Sequence, residues 1–142
     1  MVSGRIVSLH SGPLPNSNTD RKIKGLQGPL YDSDKVLEIL SNKQPIAWAN
    51  KCISDMQKWS FDGDDLEELT RYAIEHGQYI DSEWCTNKPN GAFAACDSYH
   101  FTRREWNENA YKEMSFDYYV KIAIGKSGKI LLLASCHPSS SL

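Results

Sequence analysis

The spacing of apolar positions changes its period once along the chain, near residue 78. Before that point apolar residues recur three and four apart, the period of a helix buried on one side. Asp32 or Ser33 can cap a first short helix, whose stripe is Val36, Leu37 and Leu40. Residues 42–44 break it. Pro45 suits the first turn of a second helix, because its missing N–H would be unpaired there anyway. That helix is expected to run to about Trp59, with Ile46, Ala49, Ile53 and Met56 on one face. Phe61-Asp62-Gly63-Asp64-Asp65 reads as a turn and N-cap, its carboxylates favouring the positive end of a third helix. Leu66, Leu69, Tyr72 and Ala73 form the buried stripe of that helix, and Gly77 ends it.

From residue 78 the pattern is that of strands. Residues 78–85 and 92–101 read as a pair joined by the hairpin signal Asn87-Lys88-Pro89-Asn90-Gly91. Residues 102–115 are polar and aromatic, and are expected to form a long loop or one helical turn. Residues 116–124 and 129–136 form a last strand pair around Gly125-Lys126-Ser127-Gly128. The fold class is therefore α+β: short N-terminal helices packed on a C-terminal antiparallel β-sheet. Residues 1–30 form an irregular arm, rich in turn formers at 11–18, where Val2 to Leu9 could add an edge strand but a mobile tail or a loosely docked arm is expected. Residues 31–142 form a single domain.

Composition narrows the class. With 40% hydrophobic and 24% charged residues, the chain has the make-up of a folded globule. No apolar run approaches membrane-helix length, and no secretory leader is evident, so no membrane partner and a cytoplasmic location are expected. The net charge of -2 is unevenly spread, at +3 over residues 1–30, -7 over 31–97 and +2 over 98–142. Three successive short helices raise the helix-turn-helix reading, but the third carries Asp64, Asp65, Glu67, Glu68 and Glu75, which phosphate would repel. Cys52, Cys85, Cys96 and Cys136 show no CxxC spacing and read as reduced, mostly buried thiols. A zinc site from Cys85, Cys96, His100 and His137 has the ligand types but not the spacing of a finger or ribbon, so no metal and no cofactor are expected.

Candidate chemistry concentrates in the last strand pair. Alternation puts Tyr118, Val120, Ile122 and Ile124 on one side, towards the helices, and Asp117, Tyr119 and Lys121 on the other. Whether His137 joins the second side depends on register. A four-residue loop pairs Ile124 with Lys129 and sends His137 to the Tyr118 side, whereas a one-residue change in that loop brings it to the Tyr119 side. With the faces in agreement, Tyr119, Lys121 and His137 suit RNA cleavage by the ribose 2′-OH. That reaction needs a base, an acid and positive charge on the phosphorane-like transition state. Tyr99, Arg103, Arg104 and Trp106, with Trp84 and His100, interleave aromatic and basic groups as an RNA-binding groove does, or serve as core aromatics and surface charge. Cys136 adjoins His137, but neighbouring strand residues face opposite ways.

Taken in order, Val36-Leu37-Glu38-Ile39-Leu40, Phe61-Asp62, Cys96-Asp97-Ser98-Tyr99, Tyr119-Val120-Lys121-Ile122 and Leu132-Leu133-Ala134-Ser135-Cys136-His137 resemble the MqsR group of RelE-like bacterial toxins. The similarity covers about residues 34–137. The resemblance implies a RelE-like fold and a metal-independent endoribonuclease that is held inactive by an antitoxin protein. Its substrate would be RNA, free or as ribosome-bound mRNA. Tyr119 matches the family's strand tyrosine, and His137 falls where the family has a C-terminal lysine. The family's glutamine has no counterpart here. Two other classes fit the same scaffold: a non-enzymatic protein-binding, accessory or inhibitor module encoded on a mobile element, and a small nucleic-acid-binding regulator.

Overall fold

The structure is a computed structural model that describes residues 5–15 and 20–138. Element order is α1 (Ser33–Asn42), β1 (Ile46–Ala47), α2 (Asn50–Lys58), α3 (Gly63–His76), β2 (Gln78–Thr86), β3 (Phe93–Asn107), β4 (Lys112–Ile124) and β5 (Leu131–Pro138). The strands form one sheet in the order β1-β5-β4-β3-β2. Every pairing is antiparallel except β1 with β5. The fold is mixed α+β, with helices and strands interleaved at the start rather than helices strictly first.

Local chemistry explains α3 well. Asp62 accepts from the Asp65 N–H at 2.9 Å while Asp65 accepts from the Asp62 N–H at 2.9 Å, a reciprocal capping box. Leu66, Leu69, Thr70, Ala73 and Ile74 are buried. Gly77 closes the helix because a side chain there would strike the Ala73 carbonyl, 2.3 Å from where its Cβ would sit.

The second helix departs from the expectation. Ile46 and Ala47 are strand, paired with Leu132 and Leu133, and the Trp48 N–H continues the pairing to the Leu133 carbonyl at 3.0 Å. Helix α2 therefore starts at Asn50. Its fully buried residue is Cys52, while Ile53, expected in the stripe, is 40% exposed. Residues 102–115 are likewise not a loop. Strands β3 and β4 run on as a two-stranded ribbon to a tight turn between Asn107 and Lys112. Helix α1 packs on α3, α2 on β5 and α3 on β3, so all three helices cover one side of the sheet. Phe101, Tyr118, Val120, Ile122 and Leu133 meet them there.

The arm is hydrogen-bonded into the sheet rather than loosely docked. Beyond the Asp97–Ile122 pair, β3 and β4 no longer bond each other, and residues 5–9 enter between them. The Val7 N–H donates to Phe93 and the Lys126 N–H to Val7, at 2.9 and 2.8 Å. Ser8, 2% exposed, accepts from the Ala95 N–H at 3.0 Å. Residues 21–23 then flank the outer edge of β2, with the Ile23 N–H on the Ser82 carbonyl at 2.9 Å. Buried Asp97 fastens the end of the arm by accepting from the Leu30 and Tyr31 N–H groups and from Ser82 Oγ, at 2.9, 3.1 and 2.6 Å. Parts of the 11–18 stretch, the first four residues and the tail beyond Pro138 lie outside the described residues.

Candidate functional site

The sheet's second side carries no helix, and its side chains form cross-strand rows. One row is His100 on β3, Tyr119 on β4 and His137 on β5, each directly opposite the next. The ring centroids of His100 and Tyr119 are 5.0 Å apart, and those of Tyr119 and His137 are 6.1 Å apart. The next row is Ser98, Lys121 and Ser135, and the preceding one pairs Thr102 with Asp117.

Two local features produce the Tyr119–His137 alignment. The turn is longer than four residues, closing with the Gly125 N–H on the Ile130 carbonyl at 2.8 Å, so Ile124 pairs with Leu131. That register alone would set His137 against Tyr118. Between the Leu133–Ile122 and Ser135–Lys121 pairs, however, Ala134 stands without an opposite residue. This β-bulge shifts the pairing by one and turns His137 to the Tyr119 side. Cys136 faces the core, opposite Val120.

The two imidazoles differ in surroundings. His137 Nδ1 lies 2.9 Å from the Pro138 carbonyl. A carbonyl only accepts, so Nδ1 carries the proton and a neutral ring keeps its lone pair on Nε2. His100 Nε2 lies 3.6 Å from Asp117 Oδ1, and that same oxygen accepts from Thr102 Oγ1 at 2.5 Å. The Asp117 carboxylate is thus shared between His100 and Thr102.

Lys121 is ion-paired to Glu83. Burial works against its charge, but the hydrogen bond to Glu83 and the neighbouring Cys85, Glu83 and Cys96 outweigh that, holding the ammonium above the usual lysine range. Beside it opens a hollow of about 200 Å³, bounded by Ile80, Asp81, Glu83, Ser98, Tyr119 and Lys121. Ser98 Oγ is buried and has no hydrogen-bond partner. Buried hydroxyls are nearly always bonded, so this orphan, on a residue that lines the hollow, is an exception. A larger cleft of about 910 Å³ continues past Lys121 to Arg21, Lys51 and Lys88.

The residues expected to bind substrate divide between the two sides. Tyr99 is buried on the helix side. Arg103 also lies there, bound to Glu68 and Glu105 at 3.2 and 2.7 Å, with the Tyr72 and Tyr118 rings 5.6 and 5.5 Å from its guanidinium carbon. Arg104 and Trp106 are on the same side as Tyr119, but four and six residues further along β3 than His100. At strand rise that is about 13 and about 20 Å away. Trp106 packs edge-on to Tyr111 at the ribbon tip, and Arg104 lies 3.6 Å from Glu113.

Among the described residues, no group of three or more His, Cys, Asp or Glu side chains is arranged to hold a metal, and no helix is long and apolar enough to cross a membrane. Ser98 is not singled out by the sequence, and His100 stands there only among the groove aromatics and the zinc-ligand types, not beside Tyr119. Their parity against Tyr119 depends on where β3 turns into β4, and the polar stretch 102–115 gives no sign of that turn. No protein-family model, curated protein or solved structure matches the chain.

Proposed function

We propose that the protein is a metal-independent endoribonuclease acting on the open side of the sheet, as the toxin of a toxin–antitoxin pair. The observation that carries this reading is the row His100–Tyr119–His137, two imidazoles of unlike environment flanking a phenol, next to the orphaned Ser98 hydroxyl and Lys121. In this scheme His137 Nε2 takes the proton from the ribose 2′-OH and the oxygen attacks the adjacent phosphorus. The bond to the 5′-oxygen breaks, and the His100 imidazolium supplies that oxygen's proton. Tyr119 donates to a non-bridging oxygen, Lys121 supplies charge to the phosphorane-like transition state and Ser98 adds a hydrogen bond. The products are a 2′,3′-cyclic phosphate and a 5′-OH. The antitoxin and the toxin role rest on the sequence resemblance, and such a partner would cover this side of the sheet.

A second reading is a non-enzymatic protein-binding module. It is favoured by charge matching on the same side, where Lys121 meets Glu83, His100 meets Asp117 and Arg104 meets Glu113. Such a surface suits a protein carrying both signs better than a polyanion. Incubating the purified protein with RNA in EDTA separates the two. Cyclic-phosphate products that disappear with His137→Ala and Tyr119→Phe support the nuclease. Intact free and ribosome-bound RNA, together with harmless overexpression, leaves the binding module.

A further inference from the structure

The larger cleft holds a second pair of reactive groups that the nuclease scheme does not use. Cys85 pairs with Ala94 and Glu83 with Cys96, so the two cysteines are diagonal neighbours on the open side of the β2–β3 pair. Cys85 is half-buried and lines the cleft, whereas Cys96 is fully buried beneath it. The Cys96 S–H donates to the Ala94 carbonyl at 3.6 Å, and Cys96 neighbours Cys85 diagonally across the two strands. Cys85 shares this cleft with the Lys121 ammonium from β4 and the Arg21 guanidinium from the arm, with the Glu83 carboxylate as the opposing charge. Lys51 at the start of α2 and Lys88 in the hairpin complete the charged rim.

We propose that Cys85 is a nucleophilic modification site, reached through this cleft by small electrophiles such as peroxides, with Cys96 as its positioning partner. The neighbouring Cys96 thiol is the main influence lowering the Cys85 pKa, burial opposes it, and Lys121 and Arg21 add to the lowering. The other thiols contrast with it. Burial pushes Cys52 up to about 11, and Cys96 and Cys136 are also raised. With a peroxide, the Cys85 sulfur attacks one oxygen and the O–O bond breaks. The sulfur gives up two electrons and becomes a sulfenic acid, and the departing oxygen leaves as hydroxide, which becomes water with the proton that the thiol released. A sulfenic acid or larger adduct at Cys85 would occupy the cleft next to Lys121.

The test is iodoacetamide labelling of the full chain, read by peptide mass across a pH series, with hydrogen peroxide and a sulfenic-acid trap as the second probe. At pH 7 Cys85 should label roughly tenfold or more faster than Cys52, Cys96 and Cys136, with a midpoint below that of an ordinary thiol at about 8.5. Cys96→Ala should slow Cys85 and raise its midpoint, and Cys96→Ser, which keeps a donor, should restore much of the rate. Lys121→Gln should raise the midpoint in the same direction, which keeps the proposal testable if Cys96→Ala does not fold. Labelling led by another cysteine overturns the proposal, as does a Cys85 pH profile unmoved by both Cys96→Ala and Lys121→Gln. RNA cleavage does not enter this readout, so its outcome is independent of the nuclease reading.

Discussion

Tyr119 on β4 stands directly opposite His137 on β5, their ring centroids 6.1 Å apart, because the unpaired Ala134 shifts the ladder by one residue. The same phenol has His100 at 5.0 Å on its other flank. The chemistry proposed for this surface rests on that three-ring row.

If His137 is the base and His100 the acid, their variants should separate by substrate. On RNA, each alanine substitution should lower cleavage by about 100- to 10,000-fold. On a ribonucleotide with an activated aryl leaving group, which departs without a proton, His100→Ala should be nearly silent while His137→Ala stays severe. Equal losses on both substrates would refute this division of roles. The measurement is single-turnover cleavage of the two substrates.

Two orphaned hydroxyls should behave differently from each other. Thr70 Oγ1 on α3 and Ser98 Oγ on β3 are both buried without a partner. An unsatisfied buried hydroxyl costs roughly 1–3 kcal/mol, so Thr70→Val, which keeps the shape, should raise the melting temperature and leave RNA cleavage unchanged. Ser98→Ala should also be neutral or stabilising, but it should weaken cleavage if the hydroxyl contacts substrate. Paired thermal melts and rate measurements decide this.

Asp97 makes an acid-side prediction. Burial raises its carboxyl above the usual aspartate range, outweighing the Ser82, Leu30 and Tyr31 donors that lower it. A carboxyl with a raised folded-state pKa favours folding below its unfolded value, and that contribution fades as pH rises through the folded value. Asp97→Asn does not titrate, and it turns an amide donor towards donors, costing roughly 1–3 kcal/mol. The stability gap between wild type and Asp97→Asn should therefore widen as pH falls from 7 towards 4. Denaturant titrations at each pH measure it, and a gap that narrows on acidification would refute the assignment.

The adjacent arginines should part company. Arg103 joins α3 to the sheet through Glu68 and Glu105, and Tyr118 Oη donates to the same Glu105 at 2.6 Å. Arg103→Ala should cost roughly 1.5–3 kcal/mol, because it removes hydrogen bonds to charged groups and leaves Glu105 uncompensated. Arg104 is exposed and paired only across the ribbon. Arg104→Ala should change stability by about 0–1 kcal/mol. If Arg104 touches a phosphate, the salt slope of RNA binding should fall by about 0.7. Melting curves and salt-dependent binding check both.

Much of this was legible because it is local. The turn and N-cap at 61–65, the stop at Gly77 and the hairpin at 87–91 each involve residues a few positions apart. Strand β1 was not legible, because Ile46 and Ala47 satisfy helical spacing and become strand only by pairing with Leu132 and Leu133. The ribbon formed by the far ends of β3 and β4 was hidden for a different reason. Exposure alternates along it, but the half-buried positions of its β3 part are Arg103, Glu105 and Asn107, polar residues that leave no apolar period of two in the sequence.

At the site, strand alternation alone tells which side chains share a face, since along β4 it puts Tyr119 and Lys121 together and turns Val120 to the core. Which faces adjoin is a matter of strand pairing. Backbone hydrogen bonds form equally well in any register, and both sides of β5 are apolar enough to be buried. The choice therefore fell to a long turn and to one unpaired residue, Ala134, which together bring His137 beside Tyr119.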